Sequence, residues 1–266
     1  MKCLLLVLGV VALTWSPAFA ADRLTDKDVK EIVSRIEDGR NKFDDALDGK
    51  FKDQVLRGST GEVKVENFLN DFQENIDKVE ERLKPDYAAS AEVQTLLRQG
   101  TSIDRFFRTQ PSGTKGESEW HRLAVDLKAL AEAYGADFPL PDGATVRRLG
   151  DKEVATIVDT VASGSDRLKK SLDSELKKDK TIDQPTRQSM VGAADQFTKD
   201  AKSLRDRIKD GAPSSSEAQR VMERASAIQS MLKSRPMPQS SGIFSGLAPR
   251  LEQLASAYSM PMPAVR

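Results

Sequence analysis

Apolar residues recur along this chain at helical spacing, with polar residues filling the positions between them. Val29, Ile32, Val33, Ile36, Phe43, Leu47 and Phe51 share one face. Phe68, Leu69, Phe72, Ile76, Val79 and Leu83 form a second, Val93 to Phe107 a third, and Trp120, Leu123, Leu127, Leu130 and Tyr134 a fourth. Intervals of three and four residues place each set on one stripe of an amphipathic helix, and no strand-like alternation competes with them. Four more segments follow in the same order, beginning at Val154, Met190, Val221 and Phe244.

End signals agree with these segments. Thr25 stands where a cap is wanted, with Asp28 three residues on and Leu24 and Val29 at hydrophobic-staple spacing. Leu149 and Val154 repeat the staple, and Ser214-Ser-Ser-Glu217 has the spacing of a capping box. Pro185 suits a first helical turn, and Gly135 suits the left-handed residue after a helix. Pro249 predicts that the last helix starts near it or bends there.

The second set of segments echoes the first. Leu24-Thr-Asp-Lys-Asp-Val29 reappears as Leu149-Gly-Asp-Lys-Glu-Val154, an offset of 125, and 18 of the 88 positions paired from Leu24 to Pro111 are identical. After a one-residue deletion, Leu123 to Tyr134 matches Leu247 to Tyr258. A fixed period of this kind is a statement about architecture. The expectation is an all-α protein of two tandem four-helix bundles, 21–135 and 149–259, joined by a Pro-containing linker at 136–148 and ending in a flexible tail at 260–266. One continuous eight-helix body is the rival arrangement.

The amino end changes the inventory. Lys2 precedes an apolar run from Cys3 to Leu13, and Ala18-Phe19-Ala20 supplies small residues before a cut at Ala21. Residues 1–20 therefore read as a cleaved signal peptide, which places the mature chain in a secreted or periplasmic location. The single cysteine leaves with that peptide, so disulfides, thiolate catalysis and cysteine metal sites are excluded. Elsewhere no stretch is long and apolar enough for an integral membrane span. The 41 basic and 41 acidic side chains cancel, which gives nucleic acid no net field to follow.

Candidate chemistry is sparse. His121 is the only histidine, so two-histidine metal sites and a His-Glu-x-x-His motif are ruled out. No catalytic residue, metal ligand set or cofactor is expected. Most polar identities between the halves suit helix ends: Asp26/Asp151 and Glu92/Glu217 near amino ends, Arg82/Arg207 and Lys84/Lys209 near carboxyl ends. Asp48–Lys52 and Asp173–Lys177 stand at acid-then-base spacing on a helix. Lys27/Lys152 carries the wrong sign for a helix start and is a candidate ligand contact. Gly39/Gly164, mid-helix at a cost of about 1 kcal/mol, marks a close helix approach or a small ligand-facing recess. Tyr134/Tyr258 is expected to pack its ring on the end of its helices with the hydroxyl in water.

The functional expectation is an exported, non-enzymatic helical protein. It would act as a macromolecular interaction or structural module of the cell envelope, with an unidentified protein partner. The alternative is a carrier of an apolar small molecule, lined by Phe68, Phe72, Phe106, Phe107, Met222 and Met231. Weak membrane-surface contact also stays open.

Overall fold

The computed structural model describes residues 23–58, 61–235 and 237–260. The expected signal peptide, and the tail beyond Met260, lie outside them. The described residues are mostly helical. In order they form α1 (Asp26–Ala46), α2 (Gly49–Lys52), β1 (Val55–Gly58), β2 (Gly61–Lys64), α3 (Val65–Arg82), α4 (Ser90–Phe107), α5 (Glu117–Ala133), α6 (Asp151–Lys178), α7 (Gln184–Lys209), α8 (Ser215–Ser234) and α9 (Pro238–Ala257).

Two separate apolar clusters organise these elements. In the first half, α1 packs against α3 and α5, and α4 packs against the same two helices. In the second, α6 and α8 each pack against α7 and α9. The stripes read from the sequence form these interiors: Val29, Ile36, Phe72, Leu97 and Leu127 in one, Val154, Leu168, Phe197 and Leu254 in the other. Phe43, Phe107 and Trp120 meet ring to ring, with centroids 5.5 to 6.2 Å apart. Burying each such ring contributes roughly 1.5–3 kcal/mol.

Several local expectations need correction. The first stripe does not continue to Phe51 as one helix. α1 stops at Ala46, Leu47 is extended, and Asp48 caps the short α2 by accepting from the Phe51 N–H at 2.9 Å. An antiparallel hairpin, β1–β2, follows where the apolar spacing predicts no strand, with Val55 opposite Lys64 and Leu56 opposite Val63. The stretch is rich in β-branched residues and glycine, both poor helix formers, and Leu56 reaches the first core. Lys52 consequently pairs with Asp44 at 2.5 Å rather than with Asp48. In the second half the helix does continue, to Lys178, and the expected Asp173–Lys177 pair forms.

The caps divide similarly. Thr25 and Asp28 form the expected capping box, and Pro185 lies in the first turn of α7. Ser214, by contrast, makes no side-chain cap, because its hydroxyl is bonded to the Tyr258 hydroxyl instead. α9 starts at Pro238 and runs through Pro249, which removes one helical hydrogen bond without ending the helix.

The connection between the halves is a packed element. Leu140 and Val146 are buried in the first core. The Leu140 N–H donates to Thr101 Oγ1 at 2.8 Å, the Val146 N–H to Gln94 Oε1 at 3.2 Å, and Arg98 donates to the Ala144 carbonyl at 2.7 Å. Gly100 makes room for this path, since a Cβ there would lie 2.8 Å from Leu127 Cδ1 and 3.1 Å from Phe138 Cε2. The expected linker thus lies along α4 as part of the first half.

Candidate functional site

The amino ends of α1 and α6 face one another. Asp26 and Asp151 occupy the first position of each helix, and each carboxylate caps the opposite helix. Asp151 Oδ2 accepts from the Asp26 N–H at 2.8 Å, and Asp26 Oδ2 accepts from the Asp151 N–H at 2.9 Å. Opposed helix amino ends would repel, and two carboxylates placed between them offset both partial positive charges.

Arginines close the arrangement from either side. Arg23 donates to Asp151 Oδ1 and to the Leu149 carbonyl, both at 2.6 Å. Arg148 donates to Asp26 Oδ1, and to the Leu24 carbonyl at 2.8 Å. The Arg23 N–H reaches Ser215 Oγ, and the Arg148 N–H reaches Ser90 Oγ. In every one of these contacts the two versions differ by 125 positions, so the leading segment of each half is held by the other half. The side chains of Arg148 and Asp26 are 4% and 11% exposed, which makes this pair a desolvated one. Removing one partner of such a pair strands a buried charge, at a cost of about 3–5 kcal/mol.

Both tyrosines back this arginine clasp. The Tyr134 hydroxyl donates to the Ala88 carbonyl at 2.5 Å, and the ring is 1% exposed. Burial raises the hydroxyl pKa of Tyr134 and, with the Ser214 hydrogen bond opposing, that of Tyr258. The expectation of wet hydroxyls therefore fails: each hydroxyl is buried and bonded.

Beside the clasp, both halves line a groove of about 280 Å³. Glu132, Ala133 and Gly135 at the end of α5 face it, as do Ser256, Ala257 and Ser259 at the end of α9. Arg147 brings a cationic group, Arg23 and Arg148 line the groove with their guanidiniums held in the clasp, and Glu132 and Glu252 bring carboxylates. The lining therefore offers both signs of charge and hydroxyls to a polar, extended ligand. The recess among Phe43, Phe51, Phe68 and Phe106 is far smaller, at about 10 Å³, about one water probe and no more.

The candidates singled out in the sequence do not gather at the groove. Lys27 pairs with Glu31 on the surface, and Lys152 pairs with Asp86, each at 3.8 Å. Gly39 and Gly164 serve helix contact. A Cβ would lie 3.2 Å from Leu123 Cδ1 at the first and 2.3 Å from Leu247 Cδ2 at the second. Arg82 pairs with Glu92 at 2.8 Å and Arg207 with Glu217 at 3.9 Å, so these shared residues tie one helix end to the next helix start. His121 lies in an open surface depression with Arg122 and the exposed Val125.

Arg23 and Arg148 are the residues that sequence reasoning passed over. Their signal was present: the Leu-x-Asp-Lys repeat extends one position earlier, to Arg23-Leu24 and Arg148-Leu149. Among the described residues there is no cluster of three potential metal ligands, and no helix long and apolar enough to cross a membrane. Comparison with known proteins finds no match: no family model, no characterised protein and no solved structure resembles this chain.

Proposed function

We propose that this chain is an exported, non-enzymatic interaction module of the cell envelope, built from a duplicated unit as two tandem four-helix bundles. The groove at their junction is its contact surface for a protein partner. The observation that carries this reading is the joint origin of the groove, with matching helix ends of the two halves on either side of it. Export rests on the signal-like residues 1–20, and the bundle reading on the two closed rings of helices and the 125-residue period. The aromatic core of the first half favours a protein partner over an apolar cargo there. A recess of about 10 Å³ admits no hydrophobic ligand, and the phenylalanines pack on one another.

A photo-crosslinking residue at Glu132 or Ser256, in cells of the source organism, tests the reading. A discrete adduct in the envelope fraction, absent when the same residue replaces Val125 on the outer face of α5, is expected. Equal labelling from both positions, or no adduct from the groove, refutes it.

A further inference from the structure

The clasp has a property that a junction within one chain does not need: it is self-complementary. What the first half presents to the second (Arg23, the Leu24 carbonyl, Asp26 and Ser90) is matched by what the second presents to the first (Arg148, the Leu149 carbonyl, Asp151 and Ser215). Two surfaces that exchange the same set of bonds in both directions make an isologous contact, as at the interface of a symmetric dimer. We propose that the clasp is a pairing surface whose partner is a second copy of this chain, each half accepting the clasp of a half from another molecule. The inference rests on the reading of the halves as duplicated units.

The chemistry sets the selectivity. Each carboxylate is satisfied by one arginine and one backbone N–H from across the junction, and each arginine also takes a carbonyl across the junction. A surface lacking any of these groups leaves a carboxylate or guanidinium desolvated and unpaired. The surface that supplies all of them is another Arg-Leu-x-Asp segment leading a helix. In the intact chain the connector favours pairing within one molecule, and a second copy enters by exchange of halves across the same set of bonds. The turn at Asp142-Gly143 is the place to open the connector, because a side chain placed on Gly143 would meet open space.

The test uses the full chain with a protease site inserted after Gly143. One preparation carries an affinity tag at the first half, and a second is untagged and labelled with ¹⁵N. Both are folded, cleaved, mixed and captured on the tag. Mass spectrometry is expected to find ¹⁵N-labelled halves from the second preparation in the captured fraction. Arg23→Ala with Arg148→Ala should reduce that recovery about tenfold or more, and Arg23→Lys, which keeps the charge without the fork, should fall between. Circular dichroism of each cleaved sample reports folding. Halves that stay folded yet separate, or stay paired without taking up labelled halves, overturn the proposal and leave the tandem-unit reading standing. Halves that unfold on cleavage overturn both.

Discussion

Gly164 provides the sharpest test of how closely the helices pack. Replacing a helix-interior glycine by alanine gains about 1 kcal/mol in helical propensity. Against that, the new methyl would stand 2.3 Å from Leu247 Cδ2, 3.0 Å from Cγ and 3.1 Å from Cδ1. Leu247 is 2% exposed, so the whole side chain must move into occupied space. Overpacking costs about 1–3 kcal/mol, and three simultaneous contacts belong at the upper end. Gly164→Ala should therefore lose about 2 kcal/mol net, or about 4–8 °C in Tm for a chain of this size. Gly39→Ala is the internal control. Its methyl meets only the tip of Leu123 tightly, at 3.2 Å, so its net change should be between zero and about 1 kcal/mol of stabilisation. Urea titration followed by helical circular dichroism measures both. Leu247→Ala should cost about 2–5 kcal/mol alone but clearly less in the Gly164→Ala background, since the two share one space. A Gly164→Ala protein as stable as the parent, or equal losses at both glycines, would refute the close-approach argument.

Three further outcomes follow from the same contacts. Tyr134→Phe should cost about 1–3 kcal/mol in urea titration, because the Ala88 carbonyl loses its buried donor; an unchanged midpoint would show that water replaces it. Thr25→Ala should lose about 1 kcal/mol by the same measurement, since Thr25 accepts from the Asp28 N–H and its own N–H donates to Asp28; a loss below the experimental error counts against the box. Asp195, bonded by Lys169 and then Lys199, has its carboxyl lowered from 3.8 to about 2. A folded pKa below the unfolded one stabilises the protein fully above pH 3.8, and that contribution is lost as the pH falls toward 2. Carboxyl ¹³C shifts should titrate accordingly and return toward 3.8 in Lys169→Met/Lys199→Met; a midpoint near 3.8 in the parent protein would contradict the pairing.

The helices were legible because burial imposes the period that the sequence displays. Val29, Ile32, Val33 and Ile36 are at most 5% exposed, as their spacing required. The hairpin was not legible, because a continuous stripe from Phe43 through Leu47 to Phe51 has the same spacing whether the chain runs on or turns at Asp48. Leu47 and Phe51 stay buried although the helix has ended. Ser214 failed as a cap for a tertiary reason: Tyr258, 44 positions away, takes its hydroxyl. The clasp combines both lessons. Asp26 and Asp151 suit helix starts by local rules, and those rules are obeyed. Their second role depends on two amino ends meeting in space, and a local pattern carries no information about that meeting.

Gly100 has a bearing on the path of the chain. The connector crosses α4 at the one point where a missing side chain leaves space for the Phe138 ring. The position 125 residues on, in α8, holds Ala225, which carries the methyl group that Gly100 lacks. A methyl group at position 100 would have to displace the tip of Leu127 and push the Phe138 ring back, so the connector keeps its seat on α4 through an absent side chain.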